Sequence, residues 1–90
     1  MKIEMKKFGS ILISRPAGRE AFAAAKAYVL IEKENKEITM DFAGVDVLSP
    51  SWADEFISGL KNLYKNVKII YSNTDNESVK ATLEILSNIG

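Results

Sequence analysis

Along the chain the hydrophobic positions change period several times, and each change marks an element. Residues 2–8 alternate, with Ile3, Met5 and Lys7 on one face, which is the period of a strand. Gly9-Ser10 reads as a turn and Ile11-Leu12-Ile13 as a second apolar run, close enough behind the first to predict a β-hairpin. Ser14-Arg15-Pro16 stops that strand, and Pro16 suits the first turn of a helix, where its missing N–H costs nothing. From Ala17 to about Lys33, Phe22, Ala25 and Val29 form a helical stripe with Tyr28 and Ile31 beside it. The many alanines of that helix predict a close approach to a sheet. Asn35-Lys36 is the turn out, and Glu37 to Phe42 returns to a period of two, with Ile38, Met40 and Phe42 on one face.

The run from Ile38 to Leu60 carries the most information. A strand ends in Asp41, Gly44 turns, and a short apolar step leads to Ser49-Pro50-Ser51, where a helix begins at Pro50 or Trp52 and runs to Tyr64. Trp52, Phe56, Leu60 and Leu63 recur at spacings of four, four and three, flanked by Ala53, Ile57 and Tyr64. Asp54, Glu55, Ser58, Lys61, Asn62 and Lys65 make its wet side. Val67 to Tyr71 reads as a mostly buried strand of a covered sheet. Thr74-Asp75-Asn76-Glu77 fits a capping box, after which Val79, Leu83, Leu86 and Ile89 face inward on a last helix that Gly90 ends.

The predicted order is β-β-α-β-α-β-α, an α/β domain occupying residues 1–90 as one unit. The expected architecture is a mixed four-stranded sheet with three helices. The strands at 11–14, 38–42 and 67–71 would be parallel, with the first strand antiparallel to the second.

Composition narrows function by exclusion. Twelve basic and twelve acidic residues balance, so no net field favours nucleic acid or an acidic membrane. With neither His nor Cys, Ser–His and Cys–His nucleophile systems are excluded within this chain, as are thiolate chemistry and the commonest metal ligand. Gly-rich phosphate loops and metal-ligand clusters are also absent, so the expectation is a non-enzyme with no cofactor and no metal. The first residues carry no apolar signal segment, and the longest apolar stretch, Ala21 to Ile31, is interrupted by Lys26; a cytoplasmic location is expected.

The order of short motifs resembles a known fold family. Met40-Asp41-Phe42-Ala43-Gly44-Val45-Asp46-Val47-Leu48-Ser49-Pro50-Ser51 is similar to the core segment of STAS domains, the fold of bacterial anti-sigma factor antagonists. A still closer similarity is to a STAS-like family of unknown function. It rests on Gly9, Ser14-Arg15, the small residues from Ala17 to Ala25, Asp41-Phe42-Ala43-Gly44-Val45 and Ser51-Trp52-Ala53-Asp54-Glu55-Phe56. In the signalling STAS proteins a serine at a helix N-terminus is phosphorylated by an ATPase-type kinase that is also the partner. The resemblance therefore implies a regulatory, partner-switching protein-interaction module with Ser51 as the modified residue. Here Ser49, Pro50 and Trp52 replace the Asp, first Ser and Gly of that loop, and Ser51 alone keeps its position.

Several residues near this edge carry alternative roles. Either Ser49 with Pro50 at the first helical position, or Ser51 with Asp54 three residues on, would cap the second helix. A partner-binding surface would comprise Ser14, Arg15, Asp46, Ser49, Ser51, Asp54 and Glu55. Arg15 and Arg19, four apart, would serve an anion- or nucleotide-binding alternative together with free helix N–H groups, or else pair with Glu20 or an acidic residue of a neighbouring loop. Asp41 and Asp46 read as turn formers. Asp54 and Glu55 are adjacent on the helix and are expected to point to different faces. Trp52 is expected in the core.

Overall fold

The computed structural model describes residues 1–28 and 36–89. The expectations for Val29, Ile31, Lys33, Asn35 and Gly90, and for the side chain of Ile89, lie outside the described residues. Within them the order is β1 (Lys2–Glu4), a single 3-10 turn at Met5–Phe8, β2 (Ile11–Leu12), α1 (Arg15–Tyr28), β3 (Glu37–Asp41), β4 (Val47–Leu48), α2 (Pro50–Leu63), β5 (Lys68–Ser72) and α3 (Glu77–Ile89). No helix among the described residues is long and apolar enough to cross a membrane.

The sheet differs from the expected one. A three-stranded sheet runs β1-β3-β5 and a separate two-stranded sheet pairs β2 with β4; every pairing is parallel, so the arrangement is neither mixed nor four-stranded. The hairpin fails at its turn. Met5 is drawn fully into the core, and the chain coils there instead of continuing as a strand. The Gly9 N–H donates back to the Lys6 carbonyl at 2.9 Å, and Gly9 itself sits at φ 125°, where glycine is favoured. The chain thus leaves β1 without reversing against it. β1 lies beside β3, where Ile3 comes next to Met40. β2 faces Val47 and Leu48, the apolar step that the sequence reading treats as part of a loop.

One core serves both sheets. Ile3, Ile38 and Met40 from the larger, and Leu12 and Leu48 from the smaller, join Trp52, Phe56 and Leu60 of α2, all at most 2% exposed. The aromatic rings stack in this layer: Trp52 lies on Phe56 with centroids 5.4 Å apart and planes 5° from parallel, while Phe8 and Phe22 approach Phe56 at 5.3 and 5.7 Å. The predicted stripe holds except at Leu63, which is 36% exposed; the steady spacing of four carries the inward row from Leu60 to Tyr64 instead. β5 is only half-buried and not the covered strand expected, because it is an edge of its sheet.

α1 packs on α2 more than on a sheet. Its small residues permit this. A Cβ at Gly18 would stand 2.7 Å from the Trp52 carbonyl oxygen, and one at Gly59 would stand 2.8 Å from the Phe22 ring. Of the α1 stripe, Ala25 is buried and Phe22 half-buried, while Tyr28 is exposed.

α3 starts two residues later than the expected capping box. Asn76 is its cap, its Oδ1 accepting the Val79 N–H at 3.1 Å. Val79 is fully buried, and Leu83 and Leu86 pack against the core from partly buried positions. The same helix clamps β4. Ser78 Oγ accepts the Leu48 N–H at 3.0 Å and donates to the Leu48 carbonyl at 3.3 Å, so one hydroxyl takes the place of a neighbouring strand. Thr82 Oγ1 donates to that carbonyl as well, at 2.5 Å, and Asn76 Nδ2 donates to the Asp46 carbonyl at 3.1 Å.

Candidate functional site

Two serines organise the edge at which α1 and α2 begin. Ser14 Oγ accepts the Ala17 N–H at 3.1 Å and so caps the first turn of α1. Ser49 is the cap of α2, with Pro50 at the first helical position, and its Oγ accepts the Trp52 N–H at 3.2 Å. The same Ser49 hydroxyl donates to the Ile13 carbonyl at 2.6 Å, tying the end of β2 to the start of α2. Ser51 is therefore not the cap. It lies in the first turn of α2, half-buried, and its hydroxyl makes no hydrogen bond among the described residues.

Arg15 crosses from α1 to α2. One of its guanidinium nitrogens, Nη1, donates to Asp54 Oδ2 at 3.0 Å and to Glu55 Oε1 at 3.1 Å, and Arg19 Nη2 reaches the same Glu55 oxygen at 3.5 Å. Ser58 Oγ adds a bond to Asp54 Oδ1 at 3.2 Å. Asp54 and Glu55 therefore do not diverge as their adjacency suggests, because a long guanidinium standing between them can reach both. The hydrogen bonds that Arg15 donates, to Asp54 first and then to Glu55, hold its proton more firmly than usual. Two cations and two carboxylates balance here. The acids that pair with Arg15 and Arg19 lie in α2, not at Glu20 or in a loop.

Asp46 stands apart from this cluster. It is exposed, its N–H donates to the Ser10 carbonyl at 2.8 Å, and its own carbonyl serves Asn76. Asp41 forms its turn as expected, Oδ1 accepting the Ala43 N–H at 3.0 Å, but it also accepts Asn73 Nδ2 at 2.7 Å and pairs with Lys2 Nζ at 3.2 Å. Those donors, Asn73 foremost, lower its carboxyl from the ordinary 3.8 to about 2. A shallow cleft of about 280 Å³ opens beside it, lined by Glu4, Lys6, Lys7, Asp41 and Ala43. No group of three or more potential metal-ligating side chains occurs among the described residues. Trp52 is 1% exposed and belongs to the core.

Sequence reasoning missed the apolar part of this edge. Ile11 is 61% exposed, Ile13 56% and Val47 38%. Ile11 and Val47 are paired in register and so share the outer face of the small sheet. The signal was the alternation in Ile11-Leu12-Ile13, where Leu12 faces in and its two neighbours out.

The strand–loop–helix unit just described, from the strand ending in Asp41 to the capped start of α2, lies within residues 24–79, which match the model of a STAS-like domain of unknown function over more than half of the chain. The chain belongs to this family. No curated protein and no solved structure matches it. In the STAS-like domain, the loop that joins the Asp41 strand to α2 is braced from both sides, by Ser10 of the segment before β2 and by Asn76, the cap of α3.

Proposed function

We propose that this STAS-like domain is a non-catalytic protein-interaction module, regulatory in a partner-switching system, whose partner is a protein of the ATPase-type kinase class. One observation carries the reading. Three aliphatic side chains stand exposed, Ile11 and Val47 on the small sheet and Ile13 just past it, and the Ile13 carbonyl is bonded to the start of the helix bearing Ser51, Asp54 and Glu55. An apolar patch with a charged rim is the anatomy of a protein interface. The binding surface would add Ser14, Arg15, Asp46 and Ser49 to that patch. A phosphate on Ser51 would place about two negative charges one turn from Asp54 and Glu55, near the helix N-terminus that tolerates them, and would change the rim without unfolding the domain.

The test is capture from host lysate by the wild-type chain and by Ile13→Lys, with retained proteins identified by mass spectrometry. An ATPase-type kinase held by the wild type and lost with Ile13→Lys is the expected outcome. Equal capture by both, or by neither, overturns the assignment of this face. Ser51→Asp is expected to weaken the same capture while Ser51→Ala preserves it.

A further inference from the structure

The two edges of the larger sheet are finished differently. β1 is three residues long, carries Lys2 and Glu4 on its exposed positions, and coils into a 3-10 turn directly afterwards, which blunts it against pairing. β5 is five residues long, Lys68-Ile69-Ile70-Tyr71-Ser72, and carries charge only at its first position. No strand lies beyond it among the described residues. The Lys68 N–H donates to the Lys36 carbonyl at 2.9 Å, and the Ser72 carbonyl accepts the Phe42 N–H at 3.0 Å. Lys68, Ile70 and Ser72 therefore turn their main-chain groups toward the β3 side, and in a parallel ladder Ile69 and Tyr71 turn theirs to the open edge. Tyr71 is 38% exposed, and Ile69 and Ile70 are half-buried.

We propose that β5 pairs antiparallel with β5 of a second copy of this chain, about a two-fold axis passing beside Ile70, to make one continuous sheet through both copies. The register follows from the groups available. With Ile70 opposite its own copy, Ile69 faces Tyr71 of the second copy in a hydrogen-bonded pair, and Tyr71 faces Ile69 in another. All the outward N–H and C=O groups of these two residues are then satisfied, and Ile70 falls at a non-hydrogen-bonded position. The side chains agree with that register. Ile69 and Tyr71 lie on the helix-covered face with Ile38 and Met40, and form aliphatic–aromatic cross-strand pairs. On the other face the two Ile70 side chains meet, flanked by Thr39. Lys68 comes opposite Ser72 and not opposite a like charge. Because Lys68 pairs with Glu37 and Ser72 with Asp41, each lysine stands between Glu37 of its own copy and Asp41 of the other. The interface is self-complementary, as a closed two-fold pairing requires, and it shares no residue with the face assigned to the protein partner.

The chain contains no cysteine, so single cysteines report the register directly. Residues opposite each other at a non-hydrogen-bonded position have Cα atoms about 4.5 Å apart, within reach of a disulfide. Ile70→Cys is expected to form a covalent dimer on mild oxidation. Lys68→Cys and Ser72→Cys are expected to crosslink when mixed and not when separate. Sedimentation equilibrium of the 90-residue chain should show a concentration-dependent dimer, weakened about tenfold or more by Ile70→Lys, which sets like charges opposite each other. Tyr71→Pro, which removes an outward N–H and leaves the β3 ladder intact, should weaken it similarly. A monomer at every concentration overturns the proposal, as does an Ile70→Cys chain that crosslinks no faster than Ser58→Cys on the exposed face of α2. If Ile70→Lys fails to fold, the disulfide pattern still decides.

Discussion

The two sheets of this domain are held by different means. The larger joins β3 to β5 over five residues each, and its inward row of Ile38 and Met40 is wholly buried in the common core. The smaller joins two residues to two, too few for a main-chain ladder to be stable by itself. It persists because side chains finish it: Ser78 and Thr82 of α3 on one side of β4, and Ser49 at the end of β2. A strand can therefore be maintained by hydroxyls from a helix where the chain is too short to pair, and the resulting element is local in its energetics while sharing the common core.

The largest expected effect tests that shared core. Phe56 is fully buried and touches the rings of Phe8, Phe22 and Trp52, so Phe56→Ala should cost about 3–5 kcal/mol, a large part of a small domain's stability. Both sheets should melt together in thermal unfolding, and a Tm unchanged from wild type would remove Phe56 from the centre of the core. Thr82→Val should cost about 1 kcal/mol by withdrawing the donor to the Leu48 carbonyl. Its signature is local: amide exchange should quicken at residues 47–49 while β3 and β5 keep their protection. Equal loss of protection in both sheets would break the distinction between them.

The last effect belongs to the larger sheet and is read in acid. Asp41 ends β3 with its carboxyl at about 2, below the ordinary 3.8, because Asn73, Ala43 and Lys2 stabilise the ionised form. The unfolded chain binds the proton more readily, so this contribution is fully present above about pH 4 and is lost as pH falls toward 2. Denaturant midpoints measured between pH 5 and 2 should fall over that window, and Asp41→Asn should flatten the fall. An identical pH profile for the variant would show that another group carries it.

Legibility in the sequence follows the same division. Strand β3 and the buried row of α2 were readable because each extends through several periods of two or of about four, and β5 because a β-rich run, Val67 to Tyr71, stands between Asn66 and Ser72-Asn73. β4 spans Val47–Leu48, and two residues have no period to read. The alternation of Ile3 and Met5 promised a longer first strand, yet the same two buried positions are met by a short strand followed by a 3-10 turn. Whether Gly9-Ser10 reverses the chain depends on what Met5 packs against, which local pattern does not contain. At the candidate site, the Ser49 cap was among the alternatives that residue type allowed. The convergence of Asp54 and Glu55 on Arg15 was not, since it depends on how closely Gly18 lets α1 approach Trp52.

The position of the single tryptophan gives the domain an intrinsic optical reporter. Its ring is 1% exposed and stacked on Phe56, so its emission should be shifted to the blue and resist soluble quenchers. Its amide is bonded to the Ser49 hydroxyl, and that hydroxyl is bonded in turn to the carbonyl of exposed Ile13. A load placed on the outer face at Ile13 is thus two hydrogen bonds from the main chain that carries the fluorophore, and a change in emission on occupancy of that face is the expected readout, with no label attached.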